Sequence, residues 1–182
     1  MHFSNIILFA AAATAWTVPE GTTNGVYSVS VNHLGEEVHE KIAELKHPDD
    51  IKTPVRSAKF RRQGLSGANH ISCFNDNLDP QDTDAANKNI DDQCGAGGDL
   101  ASGKTQNGRD FYGVSGDVVA YVCNLSASPG TCYSSERVDS SSKITDQCGK
   151  YQSGEDVVPD RQLTYGYRTK DAKFCTRGTN GK

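Results

Sequence analysis

The hexapeptide I-D-D-Q-C-G at residues 90–95 organises the sequence, because it returns as I-T-D-Q-C-G at residues 144–149. Each copy closes a stretch with helical spacing of apolar residues. In the first copy Ala86, Ile90 and Cys94 fall four residues apart and form one apolar stripe. The glycine that ends each copy has no Cβ and suits the backbone turn that closes a helix. The repeat therefore predicts two helices that each end in a cysteine, unless two short helix ends resemble each other by chance.

The first predicted helix spans residues 84–94, with Asp84 as the hydrogen-bond acceptor at its start. The second has Ser134 or Ser135 as its candidate cap, is expected to place Val138, Ile144 and Cys148 on its inner face, and ends at Gly149. Its middle is rich in serine, a poor helix former. Neither helix has the apolar area to be stable alone in water. We therefore expect tertiary packing and the terminal cysteines to hold both helices.

Alternating or continuous apolar runs predict three strands, at residues 26–31, 117–123 and 161–167. The run at 117–123 is the most apolar and is expected to be central. A short charged helix is predicted over 35–45, and a polar loop over 151–160. The order strand, helix, strand, helix, strand predicts an α+β two-layer sandwich with a small antiparallel sheet.

The amino terminus has the pattern of a secretory signal. Residues 6–15 form the only long apolar run, which is too short to span a bilayer, and Ala13-Thr14-Ala15 supplies small residues for cleavage after Ala15. Residues 1–15 are therefore predicted to be a signal peptide, and the protein is expected to be secreted and extracellular.

Residues 16–62 contain no cysteine and end in the basic pair Arg61-Arg62, the kind of site that kexin-like proteases cut. We interpret them as a propeptide and residues 63–182 as the mature domain, since every cysteine lies downstream. The alternative is an exposed pair of arginines with no role in processing. Cleavage would leave His70 as the only histidine, which disfavours a serine or cysteine triad because such a triad needs a base beside its nucleophile.

The six cysteines are even in number, and in a secreted chain this predicts three disulfides. A zinc site is the alternative, but neither Cys-x-x-Cys nor His-x-x-x-His spacing occurs. The cysteines that we expect to pair are Cys73, Cys94, Cys123, Cys132, Cys148 and Cys175.

Other classes of site have little support in the sequence. A net charge of -4 without a basic field disfavours nucleic acid as a partner. The acidic run at 75–84 lacks the glycine and closing glutamate of a calcium loop, and Gly103-Lys104-Thr105 is only the tail of a phosphate-loop pattern. We therefore predict no enzyme activity, no metal and no cofactor. Asn124-Leu125-Ser126 is the sole N-glycosylation sequon.

Three short motifs occur here in the order found in a known family: D-Q-C-G at residues 92–95, A-Y-V at 120–122 and Q-L-T-Y-G-Y at 162–167. In this respect the region 70–175 resembles the virally encoded killer toxin of smut fungi and the killer-toxin-like proteins of filamentous fungi. The resemblance implies two helices packed on one face of an antiparallel sheet. It also implies a secreted toxin that blocks growth or calcium uptake of target cells, or a virulence effector in fungus–plant contact.

The resemblance suggests by position that Cys73 pairs with Cys148. Pairs Cys94–Cys132 and Cys123–Cys175 are the simplest completion among 15 connectivities. The family's functional lysine lies in the loop before the A-Y-V strand. This chain offers Lys104 and Arg109 there but no aligned lysine, and Asp110 is closest in register.

The leading hypothesis is a monomeric secreted protein that binds a surface component of another cell through Lys104 and Arg109, since exposed charge on a stapled scaffold suits partner binding. The component could be a membrane protein, a channel or a wall polysaccharide. Alternatives are a necrosis-inducing effector of another cysteine-rich class, a structural wall protein, and a small carbohydrate-binding module or cell-wall hydrolase. The last would use tyrosines as stacking platforms, although tyrosines in strands more often pack within a sheet: Tyr112, Tyr121, Tyr165 and Tyr167.

Overall fold

A computed structural model describes residues 15–45, 69–100, 110–126 and 128–176. They form an α+β domain with nine strands, two 15-residue helices and one short 3-10 helix. The elements in chain order are β1 (Gly25–Val31), β2 (Glu37–Ala43), β3 (His70–Asn77), α1 (Pro80–Cys94), β4 (Gly98–Leu100), β5 (Asp110–Ser115), β6 (Val118–Asn124), β7 (Gly130–Cys132), α2 (Ser134–Cys148), β8 (Gln152–Val158), the 3-10 helix (Pro159–Arg161) and β9 (Leu163–Thr169).

Seven strands form one antiparallel sheet in the order β2-β1-β5-β6-β9-β8-β3, and β4 pairs with β7 in a separate two-stranded ladder. The predicted α+β class is confirmed, but the prediction of a small sheet is wrong. The sheet is larger because four of its strands, β2, β3, β5 and β8, were not predicted as strands from the sequence pattern.

Both helices pack on one face of this sheet. Successive residues of a strand point to opposite faces, so Phe111 of β5 and Ala120 and Val122 of β6 meet Ile90 of α1 in one cluster. Ile144 of α2 belongs to the same cluster, together with residues of β9. The stripe of Ala86, Ile90 and Cys94 that predicted α1 is therefore the surface that this helix buries. On α2 Ile144 is buried, but Val138, which was also expected on the inner face, is 49% exposed.

The other face of the sheet has its own core. It brings Tyr112 and Val114 of β5 and Tyr121 of β6 against Trp16 near the amino terminus and Phe174 near the carboxyl terminus. Trp16 and Phe174 exchange two backbone hydrogen bonds, of 2.8 and 3.0 Å. The segments around Trp16 and Phe174 thus cover the face of the sheet opposite the helices.

The first helix begins four residues earlier than predicted. The Asp79 carboxylate accepts hydrogen bonds from the Gln81 and Asp82 amides, each at 2.9 Å, and Pro80 occupies the first turn, where its missing N–H costs nothing. Asp84 lies one turn inside the helix. The predicted ends of α1 at Cys94 and of α2 at Cys148 are confirmed. The predicted serine cap of α2 is wrong, because Ser134 is the first helical residue and Tyr133 occupies the N-cap without a side-chain hydrogen bond.

Two further assignments were wrong. Residues 35–45 were expected to form a helix, but Glu37–Ala43 is strand β2 and pairs with β1. The polar segment 151–160 was expected to be a loop, but most of it is β8, which lies between β9 and β3. In both segments, hydrogen bonding to neighbouring strands outweighs a weak local preference.

Three disulfides join distant parts of the chain: the pair that the resemblance suggested, and the two pairs that were its simplest completion. They are Cys73–Cys148, Cys94–Cys132 and Cys123–Cys175, with sequence separations of 75, 38 and 52 residues. The first ties β3 to α2, the second ties α1 to β7, and the third ties β6 to the carboxyl-terminal segment. None of the helices in the described ranges is long and apolar enough to cross a membrane.

Candidate functional site

The predicted binding residues Lys104 and Arg109 lie outside the described residues, and so do Arg61 and Arg62 of the predicted processing site. The segment with Lys104 and Arg109 is nevertheless attached at both ends to described structure. Before it, β4 is paired with β7 next to the Cys94–Cys132 disulfide. After it, β5 enters the main sheet at Asp110.

Asp110 is a buried anchor for this second attachment. Its side chain is only 1% exposed, yet its two carboxylate oxygens have donors from distant parts of the chain. Trp16 Nε1 donates to Oδ2 at 2.6 Å, and the Asn124 amide N donates to Oδ1 at 2.8 Å. A buried carboxylate requires such partners, so Asp110 holds the start of β5 rather than facing a ligand.

Asn124, the sequon asparagine, ends β6 with its side chain fully buried. Its Nδ2 donates to the Ser128 carbonyl at 2.9 Å, and its Oδ1 accepts from the Ser126 amide at 3.0 Å. Nδ2 is the atom to which an N-linked glycan would be joined. A glycan there would require this turn to open.

The four tyrosines that were considered as stacking platforms are at most 3% exposed. Tyr112 stacks on Tyr27 at 5.1 Å between ring centroids, and Tyr121 stacks on Phe174 at 5.1 Å. Burial raises the pKa of the Tyr112 and Tyr165 hydroxyls, which therefore stay protonated as donors. Packing within the sheet, the alternative kept open from the sequence, accounts for Tyr112, Tyr121 and Tyr165.

Two carboxylates on β8 have raised pKa values. The Glu155 carboxylate accepts a hydrogen bond from the Tyr121 hydroxyl at 3.1 Å, and burial raises its pKa while that bond, Arg168 and His70 oppose the shift. On the opposite face, the fully buried Asp156 accepts from Asn69 Nδ2 at 2.7 Å. Burial raises the pKa of Asp156 as well.

An ion pair joins the two helices. Asp91 of α1 receives both the Nε and the Nη2 of Arg137 from α2, the latter at 2.6 Å. Arg137 is 8% exposed, and burial raises the pKa of Asp91 although the guanidinium opposes the shift. Since removal of either partner would leave a buried charge alone, this pair fixes how the helices sit on each other.

A small polar cavity opens between the helices. Its α1 residues precede Asp91 of the ion pair and lie in the first half of that helix. The volume of the cavity is 160 Å³, enough for about five water molecules at roughly 30 Å³ each. The lining residues come from both helices, the turn after α2 and β9: Thr83, Asp84, Asn87, Ser141, Thr145, Lys150, Tyr151 and Tyr167.

Two polar side chains in the wall of this cavity have no protein partner within the described ranges. The Asn87 amide belongs to a residue that is 8% exposed, and the Tyr167 hydroxyl to one that is 3% exposed. At the mouth the Tyr151 hydroxyl donates to Asp84 at 3.2 Å, and the Lys150 ammonium lies 4.9 Å from the Tyr151 ring centroid. Both Asn87 and Tyr167 line the cavity, where their polar groups can meet water or a small ligand.

Little in the sequence indicated this cavity. The one local signal is that Thr83 and Asn87 are polar and buried four residues apart on α1, where a core-facing helix would present apolar side chains. In the described parts of the chain, no three His, Cys, Asp or Glu side chains are grouped as a metal site would require.

Comparison with known proteins adds no relative. No protein-family model, no curated protein and no solved structure matches this chain. The fold and the cavity define a disulfide-stapled α+β domain with a polar interhelical pocket.

Proposed function

We propose that this chain is a secreted, killer-toxin-like protein or effector that acts by binding a surface component of another cell, without catalysis. The observation that carries the proposal is the set of three disulfides, which leaves no free cysteine among the described residues. Disulfides persist in oxidising compartments such as the secretory route and are rare in the cytosol.

The positions of these disulfides support a binding role. Cys94–Cys132 lies beside the ladder that precedes the 101–109 segment, and Cys123–Cys175 lies on the strand that holds Asp110 through its neighbour Asn124. The segment with Lys104 and Arg109 therefore starts and ends at cross-linked parts of the scaffold. A rigid base reduces the entropy lost when a loop binds its partner.

The environment of His70 favours binding over nucleophilic catalysis. His70 begins β3, is exposed, and contributes to the charge environment of Glu155. Within the described ranges no serine or cysteine side chain hydrogen-bonds to it. A triad would need a nucleophile at hydrogen-bond distance from the base.

The proposal is tested on the secreted protein with the double variant Lys104→Ala/Arg109→Ala. We expect it to lose growth inhibition or leaf necrosis by more than tenfold while its melting temperature stays within a few degrees, because exposed charges contribute little to stability. The matched control is Lys173→Ala, an exposed basic residue elsewhere. Full activity of the double variant would remove the loop from the proposal, and loss of activity in the control would show a general charge effect.

The interhelical cavity favours a second candidate function, binding of a small carbohydrate. Its unpartnered Asn87 amide and Tyr167 hydroxyl, with the Ser141 and Thr145 hydroxyls, offer neutral hydrogen-bonding groups beside the Tyr151 ring. Sugar hydroxyls need both donors and acceptors, and an amide and hydroxyls supply both.

Titration with single monosaccharides, followed by amide NMR shifts, tests this candidate. We expect shifts around residues 83–87 and 141–151 that Tyr167→Phe weakens at least tenfold. Tyr27→Phe is the matched control, because its hydroxyl donates to Thr23 on the other side of the sheet. If no sugar shifts these amides, the cavity holds water alone and the second candidate is wrong.

A further inference from the structure

The segment that was interpreted as a propeptide supplies part of the folded sheet. Strand β1 pairs with β5 from Gly25↔Val114 to Val29↔Asp110, and β2 lies outside β1 at the sheet edge. Without residues 15–45, β5 would be an edge strand with a row of unpaired backbone groups. Such an edge is a template for another strand.

Trp16 binds the face of the sheet that the helices leave open. Its side chain is 2% exposed, and its indole N–H donates to the buried Asp110 carboxylate at 2.6 Å. Its backbone is bridged to Phe174, next to the Cys123–Cys175 disulfide. An apolar ring with one satisfied polar atom, buried in a pocket, is typical of the anchor residues of protein interfaces.

Tyr112 of β5 shows how completely the segment covers this face. Tyr27 stacks on its ring, and the His39 ring lies at 2.9 Å from its hydroxyl, Nδ1 to Oη. Tyr112 itself is 0% exposed. Removal of residues 15–45 would expose this ring and the adjoining Val114 to water. An apolar surface of this kind is more stable when another chain segment covers it.

No covalent bond would retain the segment after processing. Residues 16–62 contain no cysteine, and each disulfide lies within residues 73–175. A cut after Arg62 would therefore separate the chain into two polypeptides without a disulfide between them. Among the described residues they would be held by non-covalent contacts, chiefly the β1–β5 ladder, the Trp16 pocket and the tyrosine stack.

We propose that cleavage after Arg62 yields a two-chain protein in which the amino-terminal fragment remains bound along β5. The edge of β5 that pairs with β1, together with the aromatic face, is then a docking surface whose occupant is the chain's own segment 16–45. This inference does not depend on the cell-surface target or on the interhelical cavity, because it concerns the opposite face of the sheet.

The test uses the secreted full chain treated with a kexin-type protease under native conditions. Size-exclusion chromatography should give one peak that contains both fragments, which separate on a non-reducing denaturing gel. Trp16 is the only tryptophan, so its fluorescence reports directly on the bound fragment. We expect its emission to stay blue-shifted after the cut.

Two variants locate the interaction. Trp16→Ala should raise the dissociation constant of the cut fragments by at least a hundredfold, whereas Val38→Ala, on the exposed outer strand β2, should change it less than threefold. If Trp16→Ala is not secreted, Tyr27→Leu removes the ring stack instead and should weaken retention by at least tenfold.

Three results would overturn the proposal. One is a folded 63–182 fragment that elutes alone while the other fragment shows red-shifted tryptophan emission. Another is a chain that stays uncut although the protease cleaves a dibasic control peptide. The third is equal retention of the fragment in the wild type, Trp16→Ala and Tyr27→Leu.

Discussion

One buried polar side chain, that of Asp110, connects the sheet to distant parts of the chain. Asp110 does so by accepting hydrogen bonds from the Trp16 indole and the Asn124 backbone. Its position before the apolar strand was visible in the sequence, but its partners were not, since they lie 94 and 14 residues away. Long-range partners of a charged residue cannot be inferred from local pattern alone.

Replacing Asp110 with Ala should lower the free energy of unfolding by about 2–4 kcal/mol, because two buried donors lose their acceptor. Denaturant unfolding measures this change. Asp117→Ala is the matched control: its side chain is 97% exposed, so the same replacement should change stability by less than about 0.5 kcal/mol. Equal effects in the two variants would contradict the anchor role of Asp110.

Asp156 should make stability depend on pH. Burial raises its pKa in the folded state, so the folded protein binds this proton more tightly than the unfolded chain. The contribution to stability is complete below the ordinary aspartate pKa and is lost as pH rises through the raised folded value. The loss is about 1.4 kcal/mol for each unit between the two pKa values.

The variant Asp156→Asn should lack this loss between about pH 4 and 7 while keeping an acceptor for Asn69. Unfolding free energies at both pH values measure the difference. Asp146→Asn, at an exposed carboxylate on α2, is the control and should keep the wild-type slope. A wild-type slope in Asp156→Asn would show that this carboxyl does not titrate differently in the folded state.

At the scale of elements, the helices were predictable because their ends carry local signals. Cys94 and Cys148 are each followed by a glycine that caps the helix through its backbone N–H. The strand β2 was not predictable from periodicity. Val38 and Ile42 are four residues apart, which suits one face of a helix and also one face of a strand. Only the pairing of β2 with β1 decides between the two.

Strand β8 escaped prediction for a different reason. Its buried residues include Ser153, Gly154 and Asp156, so its inner face does not alternate as an apolar strand does. The interhelical cavity escaped for a related reason. It forms only when Asn87 of α1, Thr145 of α2 and Tyr167 of β9 come together, and no local pattern reports that meeting.

The close approach of α2 to β8 depends on Gly154. A Cβ there would lie 2.7 Å from the Ile144 side chain and 3.0 Å from the Ser72 carbonyl. Gly154→Ala should therefore push the helix from the sheet and lower the free energy of unfolding by about 1–3 kcal/mol, the usual cost of an overpacked core. The Ile144 atom at this contact is its Cγ2 methyl, so Gly154→Ala should cost less in an Ile144→Ala background, where that methyl is absent. No loss in Gly154→Ala would show that the helix is not in contact here.

At the scale of the whole molecule, the disulfides and the amino-terminal segment both stabilise a fold whose apolar interior is modest. The disulfides cross-link residues 73–175, and segment 15–45 completes the sheet without one. The α+β class followed from the order of the strongest elements. The size of the sheet did not, because both of its edge strands, β2 and β3, are largely polar.

The burial of Asn124 leads to a prediction about N-glycosylation. Because its Nδ2 is enclosed and bonded to Ser128, the folded protein should carry no N-glycan. Its intact mass should equal that of the polypeptide, and glycosidase treatment should leave it unchanged. A loss of mass on treatment would show that the turn around Asn124 opens during secretion.

Non-reducing peptide mapping by mass spectrometry, on protein recovered from the culture medium, is the most direct test of a secreted and disulfide-stapled molecule. We expect three cross-linked peptide pairs, Cys73 with Cys148, Cys94 with Cys132 and Cys123 with Cys175, and no thiol that reacts with an alkylating reagent. Alkylated cysteines, a different set of pairs, or a protein found only inside the cells would contradict it.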